Sequence, residues 1–169
     1  MGRFNAVYNY RDELKKMLFQ NTKLLNLLYY NQKNPLDQKR ISNPYSLVNN
    51  NIFFKPKNYS TLTDVKSMLF INFKFAGKGD YSVLGDVTII CDVIVHNDLI
   101  EIEVTGEDES RDRMFDILEH IDNFLSGKPI GIGKATPYTA DPLYANDNFQ
   151  GYRVTYKLLG LNMNLNNKT

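Results

Sequence analysis

The stretch spanning residues 84–125 constrains the fold most. Two alternating runs meet at a short turn and lead through an acidic segment into one amphipathic helix. In the run 86–96 the odd positions Val87, Ile89, Cys91, Val93 and Val95 are all apolar, while the even ones mix Asp86, Thr88 and Asp92 with Ile90 and Ile94. Side chains alternate between faces along a strand, so this pattern predicts a strand with one firmly buried face. In the run 99–105, Ile100, Ile102 and Val104 lie on one side and Glu101 and Glu103 on the other. Asn97-Asp98 between them tolerates the left-handed backbone of a two-residue hairpin turn. The expected register sets Val95 opposite Ile100, Val93 opposite Ile102 and Cys91 opposite Val104, and a slip of one residue destroys the match. The same register sets Asp92 opposite Glu103. Like charges in that arrangement repel unless a cation from a neighbouring strand, or a metal, relieves them. A solvated or neutralised face is the plain account; a metal-binding carboxylate cluster is the sharper one.

Gly106-Glu107-Asp108-Glu109-Ser110 breaks the strand and supplies acid near the start of a helix, where the macrodipole favours it. Met114, Ile117, Leu118, Ile121, Phe124 and Leu125 then recur at helical spacing, and Ser126-Gly127 before Pro129 stops the helix. His120 falls off this stripe and is expected to be exposed. Cys91, the single cysteine, is expected to behave as a small core hydrophobe. With one cysteine and two histidines, no structural zinc site and no cofactor are expected.

Upstream, Asn9 is a candidate helix cap followed by Asp12 and Glu13. Leu14, Met17, Leu18, Leu24, Leu25 and Leu28 continue the helical spacing to about Tyr30, with Asn21-Thr22 able to split the stretch in two. Residues 31–51, with Pro35, Pro44 and many asparagines, read as a long loop and a candidate contact arm. Ile52-Phe53-Phe54 suggests a short edge strand. The run 66–74 alternates, with Leu69, Ile71, Phe73 and Phe75 facing one way, and Gly77-Lys78-Gly79-Asp80 is expected to form its turn. After the central helix, Gly131-Ile132-Gly133-Lys134 invites a phosphate-loop reading. It fails because a glycine is displaced, Ala135 replaces the magnesium-holding hydroxyl, and a helix precedes it instead of a strand. A glycine-punctuated strand start fits better. Residues 138–148 read as a polar loop, 151–159 as a final alternating strand, and 162–169 as a frayed tail.

The expected fold is α+β: a mainly antiparallel sheet of four to five strands with an amphipathic helix on one face and an N-terminal helical arm. The division expected is a single domain, with the arm and loop over 1–51, the core over 52–160 and the tail over 161–169. No apolar run approaches the roughly 18 to 20 residues that span a membrane, and no signal peptide is evident. Residues 1–78 hold 13 Lys/Arg against 4 Asp/Glu, and residues 79–169 hold 7 against 15. That asymmetry suits subunits packing basic region to acidic region. It lacks the dense, aromatic-interleaved basic run of a nucleic-acid binder, so no sequence-specific nucleic acid is expected.

Val95-His96-Asn97-Asp98-Leu99-Ile100, the helix opening near Arg111, Gly131-Ile132-Gly133-Lys134 and Gly151-Tyr152-Arg153-Val154-Thr155-Tyr156 resemble segments of small tail-completion proteins of tailed bacteriophages. These are the tail-terminator and neck, or head–tail joining, proteins. The resemblance covers under half the chain, and none of its motifs is catalytic. It implies a structural virion protein rather than an enzyme: a homo-oligomeric ring, hexameric in that family, that caps the tail tube and meets sheath or head-connector proteins. The implied location is the virion, by way of the host cytoplasm. The expected interface residues are loop aromatics, Tyr45, Phe53, Phe54, Tyr138 and Tyr144, with the loops 31–57 and 136–148 free of core duty. The competing reading is a metal-dependent nuclease of restriction-endonuclease-like topology, with Asp92 and Glu101-Ile102-Glu103 in the metal-binding places. There Glu103 stands where a lysine is required. A plain adaptor domain is the third possibility.

Overall fold

Asn21 divides the leucine-rich N-terminal stretch into α1 (Arg3–Gln20) and α2 (Thr22–Tyr29), because its side chain accepts the Leu24 N–H at 3.1 Å and caps the second helix. The structure, a computed structural model, describes residues 3–56, 58–75, 87–131 and 133–159. The expected start at Asn9 is too late: nothing between Arg3 and Tyr8 breaks a helix, and Asn9 sits exposed within α1. Leu14, Leu18, Leu24, Leu25, Leu27 and Leu28 are fully buried in the main core, so the two helices form part of its wall.

The segment after α2 is likewise built into the core. Two short 3-10 turns, Pro35–Asp37 and Pro44–Leu47, each open with proline, and Pro35, Ile41 and Leu47 are buried. Asn51 fastens its end: the side-chain amide donates to the carbonyls of Leu28 at 2.7 Å and Ser67 at 3.0 Å. A loop free of core duty is therefore not what forms here.

Six strands make the main sheet: β1 (Ile52–Phe53), β2 (Ser67–Phe75), β3 (Val87–His96), β6 (Pro129–Ile130), β7 (Gly133–Pro142) and β8 (Phe149–Leu159). Their order is β1-β2-β3-β8-β7-β6, with every pairing antiparallel except β1 with β2. The fold is thus α+β, with β1 at one edge. The odd residues of β3 are all fully buried, as their alternation predicts, and face α2 and α3 (Arg113–Leu125). The stripe of α3 is buried at Met114, Ile117, Ile121, Phe124 and Leu125, with Leu118 packed beside it. His120 is half-buried rather than exposed.

The predicted hairpin from β3 into residues 99–105 does not form. A strand has two edges, and β3 gives both away: all nine residues of β2 and ten of β8 pair along it. The chain instead turns through the 3-10 segment Asn97–Leu99, where His96 Nδ1 accepts the Asp98 N–H at 3.2 Å. Leu99 and Ile102 still reach the core, but Glu101–Ile102 (β4) pairs with Arg111–Asp112 (β5) in a separate two-stranded ribbon. Asp112 then caps α3, its carboxylate accepting the Met114 and Phe115 N–H groups.

The glycine-punctuated strand start is present as the β6–β7 hairpin. Gly131 turns it at φ +59, and a Cβ there would run into the Tyr10 ring. The expected loop over 136–148 is a strand as far as Pro142, and only 143–148 is loop. The expected turn at Gly77-Lys78-Gly79-Asp80 and the C-terminal tail lie outside the described residues.

Candidate interaction surface

Asp92 lies on the face of β3 turned away from the helices and is 1% exposed. Its register partner on β8 is Arg153, whose Nε and Nη2 donate to the two carboxylate oxygens at 2.6 and 2.8 Å. The Tyr59 hydroxyl also donates to Oδ2. Burial, then this hydrogen bond, raises the Tyr59 phenol, and the bond to Asp92 holds Arg153 above its ordinary value. Both carboxylate oxygens are thus occupied by cation and hydroxyl. Glu101 belongs to the other ribbon and Glu103 follows it, its N–H donating to the Lys33 carbonyl, so the strand juxtaposition required by a nuclease centre is not built. Among the described residues no group of three or more acidic, histidine or cysteine side chains is placed to hold a metal.

A fully buried cation, Arg113, has no counterpart among the expected site residues. Arg113, 0% exposed, donates to the carbonyls of Leu27 at 3.1 Å, Tyr30 at 2.7 Å and Gln32 at the end of α2. Leu27 lies in the last turn of α2, whose carbonyls lack partners within the helix and carry the negative end of its dipole; Tyr30 caps that turn and Gln32 follows it. Burial lowers the guanidinium to about 10, so it stays charged at neutral pH. The role is architectural: it joins the start of α3 to the end of α2. Nothing in a single Arg-Asp-Arg string separates such a cap from a surface arginine. For Asp92 there was a signal, an acid and an arginine each placed mid-strand in an alternating run.

The five aromatics predicted at an interface divide. Phe53 is buried, stacked on Phe70 with centroids 4.7 Å apart, in a second, smaller core cluster on the outer face of the sheet. Phe54 is half-buried beneath the Lys15 ammonium. Tyr45 is exposed against Phe19 on the helical layer. Tyr138 and Tyr144, 59% and 79% exposed, lie on and just after β7.

That end of the sheet has further exposed features. β6 pairs with β7 only at Gly133 and Lys134, and Ala135 bonds to Lys128 and Gly127. From Thr136 to Pro142 no described residue pairs with the outer edge of β7. Pro137 and Pro142 lie along this stretch, as on natural edges protected against indiscriminate pairing. A bulge between Pro137 and Thr139 turns Tyr138 under the Lys157 ammonium, 3.6 Å from its ring centroid. On the helix side, Phe115 is 58% exposed and its ring lies 5.9 Å from that of Tyr152. Between α3 and β7–β8 opens a cleft of about 290 Å³, bordered by Asp122, Pro137, Ala140, Val154 and Tyr156. The Tyr156 hydroxyl donates to Asp122 at 3.0 Å in its wall, and burial together with that carboxylate raises the phenol. Exposed aromatic rings, an open backbone edge and an apolar cleft are the ingredients of a protein contact surface.

Among the described residues no helix is long and apolar enough to cross a membrane. No curated protein matches the chain. The model of one family, described as YomW, matches residues 21–158, which include every element from α2 to nearly the end of β8. This is a phage-derived, SPbeta-like family of gene products, so the bacteriophage association holds at that level. The chain belongs to the YomW family.

Proposed function

We propose that this protein is a structural component of a phage particle. It assembles with copies of itself into a ring at the end of the tail or at the head–tail neck. The ring caps the tail tube and presents a joining surface to the sheath or head connector, and its role is mechanical rather than catalytic. The observation that carries this reading is the β7 end of the sheet. It combines Phe115, Tyr138 and Tyr144 in solvent with a strand edge to which no described residue pairs, in a chain of a phage-derived family. Single exposed apolar residues are ordinary, but three exposed aromatics gathered at one end of the sheet, beside a cleft, mark that end as a contact surface. A ring requires a heterologous interface, so this patch must meet a different surface of the neighbouring copy.

The test is sedimentation of the purified protein beside a Phe115→Ser/Tyr138→Ser/Tyr144→Ser variant. All three side chains are exposed, so the variant is expected to keep its circular dichroism while losing the assembled species. An unchanged sedimentation profile would remove the β7 patch from the interface.

A further inference from the structure

Among the described residues, only half of the sheet face turned away from the helices is covered. The second core cluster closes one end of it with Met68, Phe70 and Ile94. At the other end the register lines up Lys74, Thr88, Lys157 and Thr136 in one row across four strands. Asn72, Ile90, Thr155 and Thr139 form the next row. All eight are half-buried or exposed. Lys134 lies on the same face, two residues from Thr136 along β7. Among the described residues Lys74, Lys134 and Lys157 make no ion pair; with Asp141, the register partner of Arg153, as the exposed acid on the same side, this face is net basic.

On the opposite layer, the connection from β4 to β5 and into α3 is acidic. Glu101, Glu103, Glu107, Asp108 and Glu109 are all exposed. Glu103 meets Lys33 at 3.7 Å and Glu107 meets Arg111 at 3.4 Å. That leaves Glu101, Asp108 and Glu109 without an ion pair among the described residues. The lysines lie on the outer side of the sheet and the acidic connection packs on its helix side, so the two surfaces do not meet within one copy.

We propose that the basic face of one copy receives the acidic β4–β5 connection of the next, head to tail. The inference rests on the ring reading above and names the two surfaces that meet. The occupant is a second copy because three uncompensated lysines on one layer match three uncompensated carboxylates on the other. A contact between two different surfaces is also what a closed ring demands. Exposed ion pairs add little affinity each. Their work here is to orient the subunits and speed their encounter, while the adjoining Tyr138 and the β7 edge supply burial.

The test is a charge swap. One variant carries Lys74→Glu and Lys157→Glu, the other Asp108→Lys and Glu109→Lys. Each is checked by circular dichroism and sedimented alone and mixed in equal amounts. Each variant alone sets like charge against like charge and is expected to lose assembly. In the mixture each acidic face finds a basic connection and each acidic connection a basic face, so assembly returns. Wild-type assembly is expected to weaken as salt rises. Normal assembly by either variant alone, no recovery on mixing, or salt-insensitive assembly each overturns the pairing while leaving a ring intact. A wild-type protein that stays monomeric overturns both the pairing and the ring.

Discussion

Removing one partner of the Asp92–Arg153 pair has unequal consequences, because the carboxylate side chain is 1% exposed and the guanidinium 42%. Arg153→Met strands a buried charge held only by Tyr59 and is expected to cost about 3 kcal/mol. Asp92→Ala frees an arginine that can turn to water, so it is expected to cost less. Urea unfolding of both variants checks the order, and equal losses would show that Asp92 is not the buried member. The Cys91 thiol is raised by burial and has no exposed surface. A thiol reagent is expected to label it only as the protein unfolds, and rapid labelling of the native chain would contradict the β3 register. Burial also holds the half-buried His120 imidazole below its ordinary value, against the opposing pull of Asp116 and Glu119. The folded chain then binds fewer protons than the unfolded one as pH falls through about 6.5, so stability declines there. His120→Gln is expected to flatten that decline in a pH series of melting temperatures.

At the scale of the elements, α3 packs its apolar stripe against the sheet, with Ile117 and Ile121 fully buried on it. Either one changed to Asp buries an unpaired charge and is expected to cost several kcal/mol. An unchanged melting temperature would mean that α3 does not pack on the sheet. Deleting residues 34–50 removes Pro35, Ile41 and Leu47 from the core. It is therefore expected to abolish cooperative unfolding, and a deleted chain that melts like the intact one would show the segment to be dispensable. Periodicity made β2, β3, α3 and β8 legible, because each buries one face of a regular pattern. Pairing was not legible: residues 99–105 offered β3 a plausible local partner, but the preceding strand β2 and the distant β8 supply longer ladders on its two edges. Most of β7 was read as loop because it is exposed on both faces and carries two prolines, leaving no alternation to see. That exposure is what makes it the candidate surface, so the site was hidden by the property that marks it. Tyr138 and Tyr144 were legible as aromatics in a polar stretch. Phe115 was not, since a single ring on an amphipathic helix gives no sign of standing outside the core.

At the scale of the whole molecule, the +9 and −8 halves of the sequence do not become two poles. The basic residues are spread over the helical layer and the outer sheet face, while the carboxylates gather around the β4–β5 connection and α3. Folding therefore leaves a basic outer sheet face and an acidic β4–β5 connection as two separate surfaces, the form that head-to-tail packing uses. The central claim is that copies of this chain close into a ring. Negative-stain imaging of the purified protein at high concentration and low salt tests it most directly. Closed rings of about six subunits, with the central opening visible in end views, are the predicted result. A field of single particles of monomer size under those conditions would contradict the account.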